Sequence, residues 1–271
     1  MAGRALSDLD VDVVHDNSLA GPLLAFGSRV PTLVTTHGPV QGELGRYYGS
    51  LPEAVSLVAI SNAQRRLAPH LNWCATVYNG IPVRDYPFSA EKDDFALFLG
   101  RMSPEKAPHL AIDACREAGI DLVIAAKCNE PAERAYFEAE VKPRLGPGVE
   151  YVGEVGGQSK MDLFSRARCF VFPIQWEEPF GIVMVEAMAC GTPVVALNRG
   201  SVPEIVDDGI TGFVCTSPHE LPEAIKRSDV IAPEDCRRRA LKFDVSNMVA
   251  GYELVFQRIA RESGSVRPLA V

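Results

Sequence analysis

The sequence predicts an α/β protein with mainly parallel sheets, because short β-branched runs alternate along the chain with helix-compatible stretches. Its composition, 47% hydrophobic with 22 Gly and 20 Pro in 271 residues, is that of a globular chain with room for one large α/β domain or two small ones. The strands fall into two series. The first comprises residues 11–14, 32–36, 55–60 and 76–78; the second comprises residues 95–99, 122–126, 149–152, 169–172, 194–197 and 212–215. Helical segments at residues 104–118, 131–145, 159–167 and 181–189 intervene in the second series.

Between the two series, residues 79–90 carry two prolines, a glycine and no apolar period, and read as a linker. The expected domains are therefore residues 1–85, a shorter first α/β domain; residues 86–243, a second one; and residues 244–271, a C-terminal helix and tail. In that helix Met248, Tyr252, Val255, Phe256 and Ile259 share one face, which predicts that it packs back toward the first domain.

The bulk properties exclude several function classes. The formal charge is -8 and the densest basic cluster is Arg237 to Arg239, which argues against nucleic acid as a partner. No apolar run reaches the length of a transmembrane helix, and residues 1–8 lack the apolar core of a signal peptide. The seven cysteines form no CxxC pair and sit mostly in apolar runs, as reduced core cysteines of a cytoplasmic protein do. No metal site and no cofactor are expected.

The chemistry concentrates in Trp176-Glu-Glu-Pro-Phe-Gly-Ile-Val-Met-Val-Glu-Ala-Met-Ala189. Apart from Glu186, the predicted helix there is small or apolar on every side, so it must be buried. A buried carboxylate requires a hydrogen-bonding partner, in the protein or in a ligand. At the helix start, the amides of Gly181, Ile182 and Val183 form an anion site, and Gly181 permits close approach to the backbone. Glu178, just before that terminus, is placed to accept hydrogen bonds from hydroxyls. Phosphate also needs cations, and Gly100-Arg-Met-Ser-Pro-Glu-Lys106 follows a strand at the end where α/β sheets bind ligands. Arg101 offers a bidentate grip and Lys106 a point charge, with Pro104 read at the first helical turn. Phosphate at the amides and hydroxyls at the two glutamates describe a nucleotide-diphosphate sugar.

These residues resemble the retaining glycosyltransferases of family 4. The resemblance runs from Val11 onward through Thr36-His-Gly38, Asn79-Gly-Ile81, Gly100-Arg-x-Ser-x-x-Lys106, the two glutamates Glu178 and Glu186, Gly191-Thr-Pro-Val-Val195 and Gly209-x-Thr-Gly-Phe213. It implies the GT-B architecture, in which two Rossmann-like domains with parallel sheets face each other across a cleft. It also implies transfer of a hexosyl group from a nucleotide-diphosphate sugar to a hydroxyl acceptor, with retained configuration, by front-face attack and without a bound metal. Arg101, Lys106 and the amides around Gly181, Ile182 and Val183 would neutralise the diphosphate. Glu178 and the Phe180/Gly181 backbone would hold the sugar, Glu186 the ribose, and His37 would face the sugar from the first domain. Lys127 and Val155 would lie near the base.

The sequence also departs from this pattern. The family's first strand, Gly-rich loop and long helix have no counterpart before Val11, so the first domain is read as truncated. Its sheet edge is expected to be covered by a partner, by self-association or by a rearranged fold. Two alternatives follow: a non-catalytic nucleotide-sugar-binding or regulatory protein, or a sugar-nucleotide epimerase. A dehydrogenase is disfavoured, since no strand leads into G-x-G-x-x-G. His70, His109 and His219 are read as surface residues, and His15 as structural or cleft-lining.

Overall fold

The computed structural model of the chain describes residues 11–25 and 30–262, so the readings made of residues 1–10 and of the tail lie outside it. In order, the chain forms β1 (Val14–Asp16), β2 (Thr32–Thr36), α1 (Gly42–Gly49), β3 (Val55–Ala59), α2 (Asn62–Leu67) and β4 (Trp73–Thr76). Then follow β5 (Phe95–Arg101), α3 (Pro108–Ala118), β6 (Asp121–Lys127), α4 (Pro131–Tyr136), β7 (Val149–Gly153), α5 (Gly157–Arg166) and β8 (Cys169–Phe172). The last elements are α6 (Ile182–Ala189), β9 (Val194–Leu197), α7 (Val202–Ile205), β10 (Gly212–Cys215), α8 (Leu221–Lys226), α9 (Pro233–Ala240) and α10 (Val245–Glu262). These elements fall into two compact units. One holds the chain up to Asn79 together with the stretch from Ser246 onward; the other is Gly80–Val245.

The first unit is a parallel sheet in the order β1-β2-β3-β4. Its two faces bury different residues, as the alternation of a strand dictates. Val34, Val55 and Leu57 pack with Val40 and Tyr48 on one face. Leu33, Val58 and Val77 pack against Val255 and Ile259 of α10 on the other, with Met248, Tyr252 and Phe256 alongside. Two strands differ from expectation. Pairing of β1 starts only at Val14, whose amide bonds to Pro31 O, because β2 begins opposite it; Val11 stays exposed. Pairing of β4 covers Trp73–Thr76, whose small Cys74 and Ala75 have weak β propensity and masked the strand.

The second unit is a six-stranded parallel sheet in the order β10-β9-β8-β5-β6-β7. The core on one face joins Phe98, Leu122, Ile124, Val171 and Val195 to Ala111, Ile112 and Cys115 of α3 and to Leu221 and Ile225 of α8. Phe164 of α5 meets Phe170 of β8 edge-on, with centroids 5.5 Å apart. The helix predicted over 131–145 is interrupted: α4 passes into a π-turn at Phe137–Val141 and a tight 3-10 turn at Lys142–Arg144. Pro143 has no N–H to continue the α-helical ladder. Residues 79–90 are also no free linker. Ile81, Val83 and Tyr86 are buried, and Ile81 exchanges backbone bonds with Phe243 and Val245. All seven cysteines are free thiols, and burial pushes those of Cys169, Cys190, Cys215 and Cys236 up to about 12.

Candidate functional site

In the second unit the connections leave β5 toward β6 and β7 on one side, and leave β8 toward β9 and β10 on the other. The crevice outside the carboxyl ends of β5 and β8 is therefore the switch point, where open α/β sheets bind ligands. Each of these two strands feeds one of the segments singled out in the sequence.

The β5 segment ends on Arg101, which is exposed and whose guanidinium makes no hydrogen bond among the described residues. Pro104 does not open the helix. The chain makes a loop, Lys106 N bonding to Ser103 O, and α3 starts at Pro108 after Ala107 in the left-handed region. Two prolines competed for the first helical turn, and the second holds it. Lys106 thus projects from the loop. Its Nζ lies 5.5 Å from the Phe172 ring centre and 5.3 Å from that of Trp176, an arrangement that fixes the ammonium on aromatic faces.

The β8 segment brings Glu178 to the same point. Glu178 Oε2 pairs with Lys106 Nζ and accepts the Trp176 indole N–H at 3.0 Å. The carboxylate read from sequence as open to hydroxyls is therefore already engaged, by the cation read as a phosphate ligand. Both side chains are largely buried, 16% and 12% exposed, so the pair is only weakly screened. Gly181 has φ +72, a left-handed conformation that strains any other residue, so glycine suits this turn into α6. The amides of Gly181, Ile182 and Val183 are unpaired among the described residues, as the first amides of a helix are. Phe180 is buried, and its carbonyl accepts the Ser201 hydroxyl at 2.7 Å, which ties this turn to the loop before α7.

Glu186, one turn beyond Val183 on α6, has the partners its burial demands, and both lie far away in the sequence. Tyr86 donates its hydroxyl to Oε1 at 2.7 Å, and Lys160 of α5 donates to the same oxygen at 2.6 Å. Burial and the bond to Glu186 push the Tyr86 phenol far above its ordinary range, so it remains a donor. Arg237 bonds to the carbonyls of Tyr86 and Ala189, anchoring Tyr86 to the C-terminal end of α6. Oε2 takes no hydrogen bond among the described residues. Neither Tyr86 nor Lys160 was legible as a site residue. One sits in the supposed linker, the other on an amphipathic helix like any surface lysine.

A cavity of about 290 Å³ opens at this point, lined by Leu99, Arg101, Lys106, Lys127, Val155 and Val183 among others. Arg101, Lys106, Lys127, Val155 and Val183 therefore share one cavity, while Glu178 adjoins it through Lys106. Lys127 is engaged by Glu130 at 2.9 Å, a contact that raises its ammonium above the ordinary value, and lies 3.9 Å from Glu133. Among the described residues, no group of three or more His, Cys, Asp or Glu is arranged to hold a metal, and no helix is long and apolar enough to cross a membrane.

His37 belongs to the first unit, where its Nε2 lies 2.9 Å from Asn17 Oδ1 at the carboxyl ends of β1 and β2. His15 is half-buried in that unit. It bonds to Thr35 Oγ1 at 2.8 Å, Thr35 bonds to the Tyr252 hydroxyl at 2.7 Å, and the ring packs on Tyr252 and Phe256. Desolvation lowers both imidazoles below their ordinary value, with His37 adding to the effect at His15. His109, expected on the surface, is half-buried and 2.5 Å from the Tyr136 hydroxyl, whose acidity burial moves to about 12.

A fold of two parallel sheets, one with a phosphate-suited crevice at its switch point, is that of GT-B glycosyltransferases. It matches AviGT4, a glycosyltransferase involved in avilamycin A biosynthesis, at 27% identity and a TM-score of 0.75 over 96% of this chain and 77% of that one. It also matches Alr3699/HepE of Anabaena, solved with UDP-glucose, at 21% identity and a TM-score of 0.76 over 98% and 82%. The sequence profile of glycosyl transferases group 1 matches residues 84–235, and the chain belongs to that family. The glycogen synthase of Mycobacterium tuberculosis is 30% identical over 262 residues, covering 85% of this chain. The chain spans 62% of that relative's length.

Proposed function

We propose that the chain is a retaining glycosyltransferase of the family 4 type, moving a hexosyl group from a nucleotide-diphosphate sugar to a hydroxyl acceptor. The observation that carries this reading is the convergence at one switch point of two cations, three unpaired helix-start amides and two largely buried glutamates. Diphosphate oxygens suit Arg101, Lys106 and the amides of Gly181, Ile182 and Val183. Glu178 serves the sugar, together with the Phe180 and Gly181 backbone, once the diphosphate takes over Lys106. The base lies toward Lys127 and Val155, and Glu186 serves the ribose.

In a front-face reaction the acceptor hydroxyl bonds to the anomeric carbon on the side from which the diphosphate departs. The bond from that carbon to the diphosphate oxygen breaks, and the leaving oxygen takes the hydroxyl proton. The protein then contributes electrostatic stabilisation of the growing diphosphate charge and positioning, and needs no metal. The family resemblance gives His37 a role toward the sugar, and free thiols suit the cytoplasm.

The test is a panel of nucleotide sugars offered to the purified chain with hydroxyl acceptors, read by thermal shift and by mass spectrometry of the products. Binding and transfer that disappear in Lys106→Ala and Glu186→Ala support the reading. Unchanged transfer in both variants sinks the site assignment, and binding without any product makes the chain a nucleotide-sugar-binding protein.

A further inference from the structure

The cavity is flanked by the starts of two helices. Val155 lies just before α5 and Val183 lies at the start of α6, and both line it. About one turn into each helix stands a charged side chain, Lys160 on α5 and Glu186 on α6, and the two meet at 2.6 Å. If the phosphates sit at the amides near Val183 and the base near Val155, the ribose between them lies over this pair.

The pair is unevenly used. Both protein donors to Glu186 converge on Oε1, which leaves Oε2 as an acceptor without a partner among the described residues on a side chain only 8% exposed. Lys160 spends one N–H on Oε1, and its other two bond to no described residue, while its side chain keeps 24% exposure. An unspent acceptor thus lies one carboxylate width from an ammonium with unspent donors. A hydroxyl fits such a site because it donates and accepts at once. A hydrogen atom in its place satisfies neither group.

The geometry points to Lys160 as a specificity-determining residue that reads, together with Glu186, one hydroxyl of the donor's ribose and so separates ribonucleotide from deoxyribonucleotide donors. Lys160 donates to the hydroxyl oxygen, and Oε2 of Glu186 accepts its proton in a hydrogen bond. Tyr86 has a different part. Its single proton is committed to Oε1, so it positions the carboxylate without touching the ribose. The inference rests on the donor-site reading above and adds to it a residue and a selectivity.

Calorimetry on the full chain tests it with UDP, ADP and GDP, each beside its 2′-deoxy and 3′-deoxy counterparts. The wild-type chain is expected to bind a ribonucleoside diphosphate about tenfold or more tightly than one of its deoxy forms, the worth of a hydrogen bond to charged groups. In Lys160→Met that preference collapses to within about threefold, through loss of ribonucleotide affinity alone, because the deoxy ligand never made the contact. Lys160→Arg restores part of the preference. Tyr86→Phe keeps the ratio of the two affinities within about twofold of wild type, whatever it does to stability. A ratio is read within each variant, so partial unfolding does not mimic the result.

Equal weakening of ribo and deoxy ligands in Lys160→Met overturns the inference, since Lys160 then acts on the phosphates or the fold. An undiminished preference in that variant overturns it as well. Wild-type binding with no preference refutes the ribose contact and leaves the donor site standing, whereas no binding of any nucleoside diphosphate removes the donor site and the inference with it.

Discussion

The rims of the two sheets differ in the kind of polar group they hold. At the carboxyl ends of β5 and β8 the second unit gathers Arg101, Lys106 and Glu178, with Glu186 and Lys160 one helical turn away. The corresponding ends in the first unit carry neutral groups instead: His37 on Asn17, and Gln64 bridging the carbonyls of Thr36 and Gly38. A carboxylate there, Asp16, accepts the Ser18 amide at 2.5 Å and so serves its own turn. Cations stand where a diphosphate is proposed, and mainly uncharged donors and acceptors stand at the other rim. On the proposed reading, one sheet binds an anion and the other neutral hydroxyls.

Gly181→Val is expected to break the charged rim most severely. A side chain there meets Met184 and forces a left-handed backbone on a β-branched residue, at a cost of about 1–3 kcal/mol. Nucleoside diphosphate binding should vanish in calorimetry, and the unfolding temperature should fall. Lys106→Ala comes next. It removes the phosphate cation and leaves Glu178 largely buried without its partner, and should lower nucleoside diphosphate affinity by about a hundredfold. His37→Ala probes the neutral rim: turnover should fall by about tenfold or more while nucleoside diphosphate affinity stays unchanged. A loss of affinity as large as that from Lys106→Ala would contradict the division between the two rims.

Smaller effects sharpen the contrast. Tyr86→Phe removes one of two donors to Glu186 Oε1 and should destabilise the second unit by about 1 kcal/mol in chemical unfolding. The histidines give the smallest effect. His15 and His37 have folded pKa values below their ordinary 6.5, so the folded chain binds protons less readily than the unfolded one. Their contribution is fully present above about pH 6.5 and is lost as the pH falls through the lowered folded values. His15→Asn should flatten the stability profile over that interval, while binding at the charged rim, which uses neither histidine, should keep its pH dependence.

Much of the charged rim was legible in sequence because its residues are local to strand-loop-helix units. A strand running into Gly100-Arg101, and Gly181 opening an apolar helix with one glutamate, place their groups without knowledge of the rest of the fold. The parallel sheets followed from alternation alone. What stayed hidden was long-range. Tyr86 reaches Glu186 across 100 residues and Lys160 reaches it across 26, and neither carries a local pattern to announce it. The pairing of Lys106 with Glu178 was hidden for another reason: both groups were recognised, but each was assigned to a ligand and neither to the other. Boundaries failed where local signals competed, as with Pro104 and Pro108, or were weak, as with Cys74 and Ala75 in β4.

The ion pair between Lys106 and Glu178 bears on residence time. On the proposed reading, the carboxylate is free for the sugar while a diphosphate holds the lysine, and regains its own counter-ion once the sugar has gone. On the proposed reading, the spent nucleotide then competes for that lysine with a partner tethered beside it, whose local concentration never falls. Glu178→Gln removes the competitor, and should make the nucleotide product leave more slowly even as the intact sugar donor is held less well. On that reading, a group that serves the sugar early in the cycle hastens departure at its end.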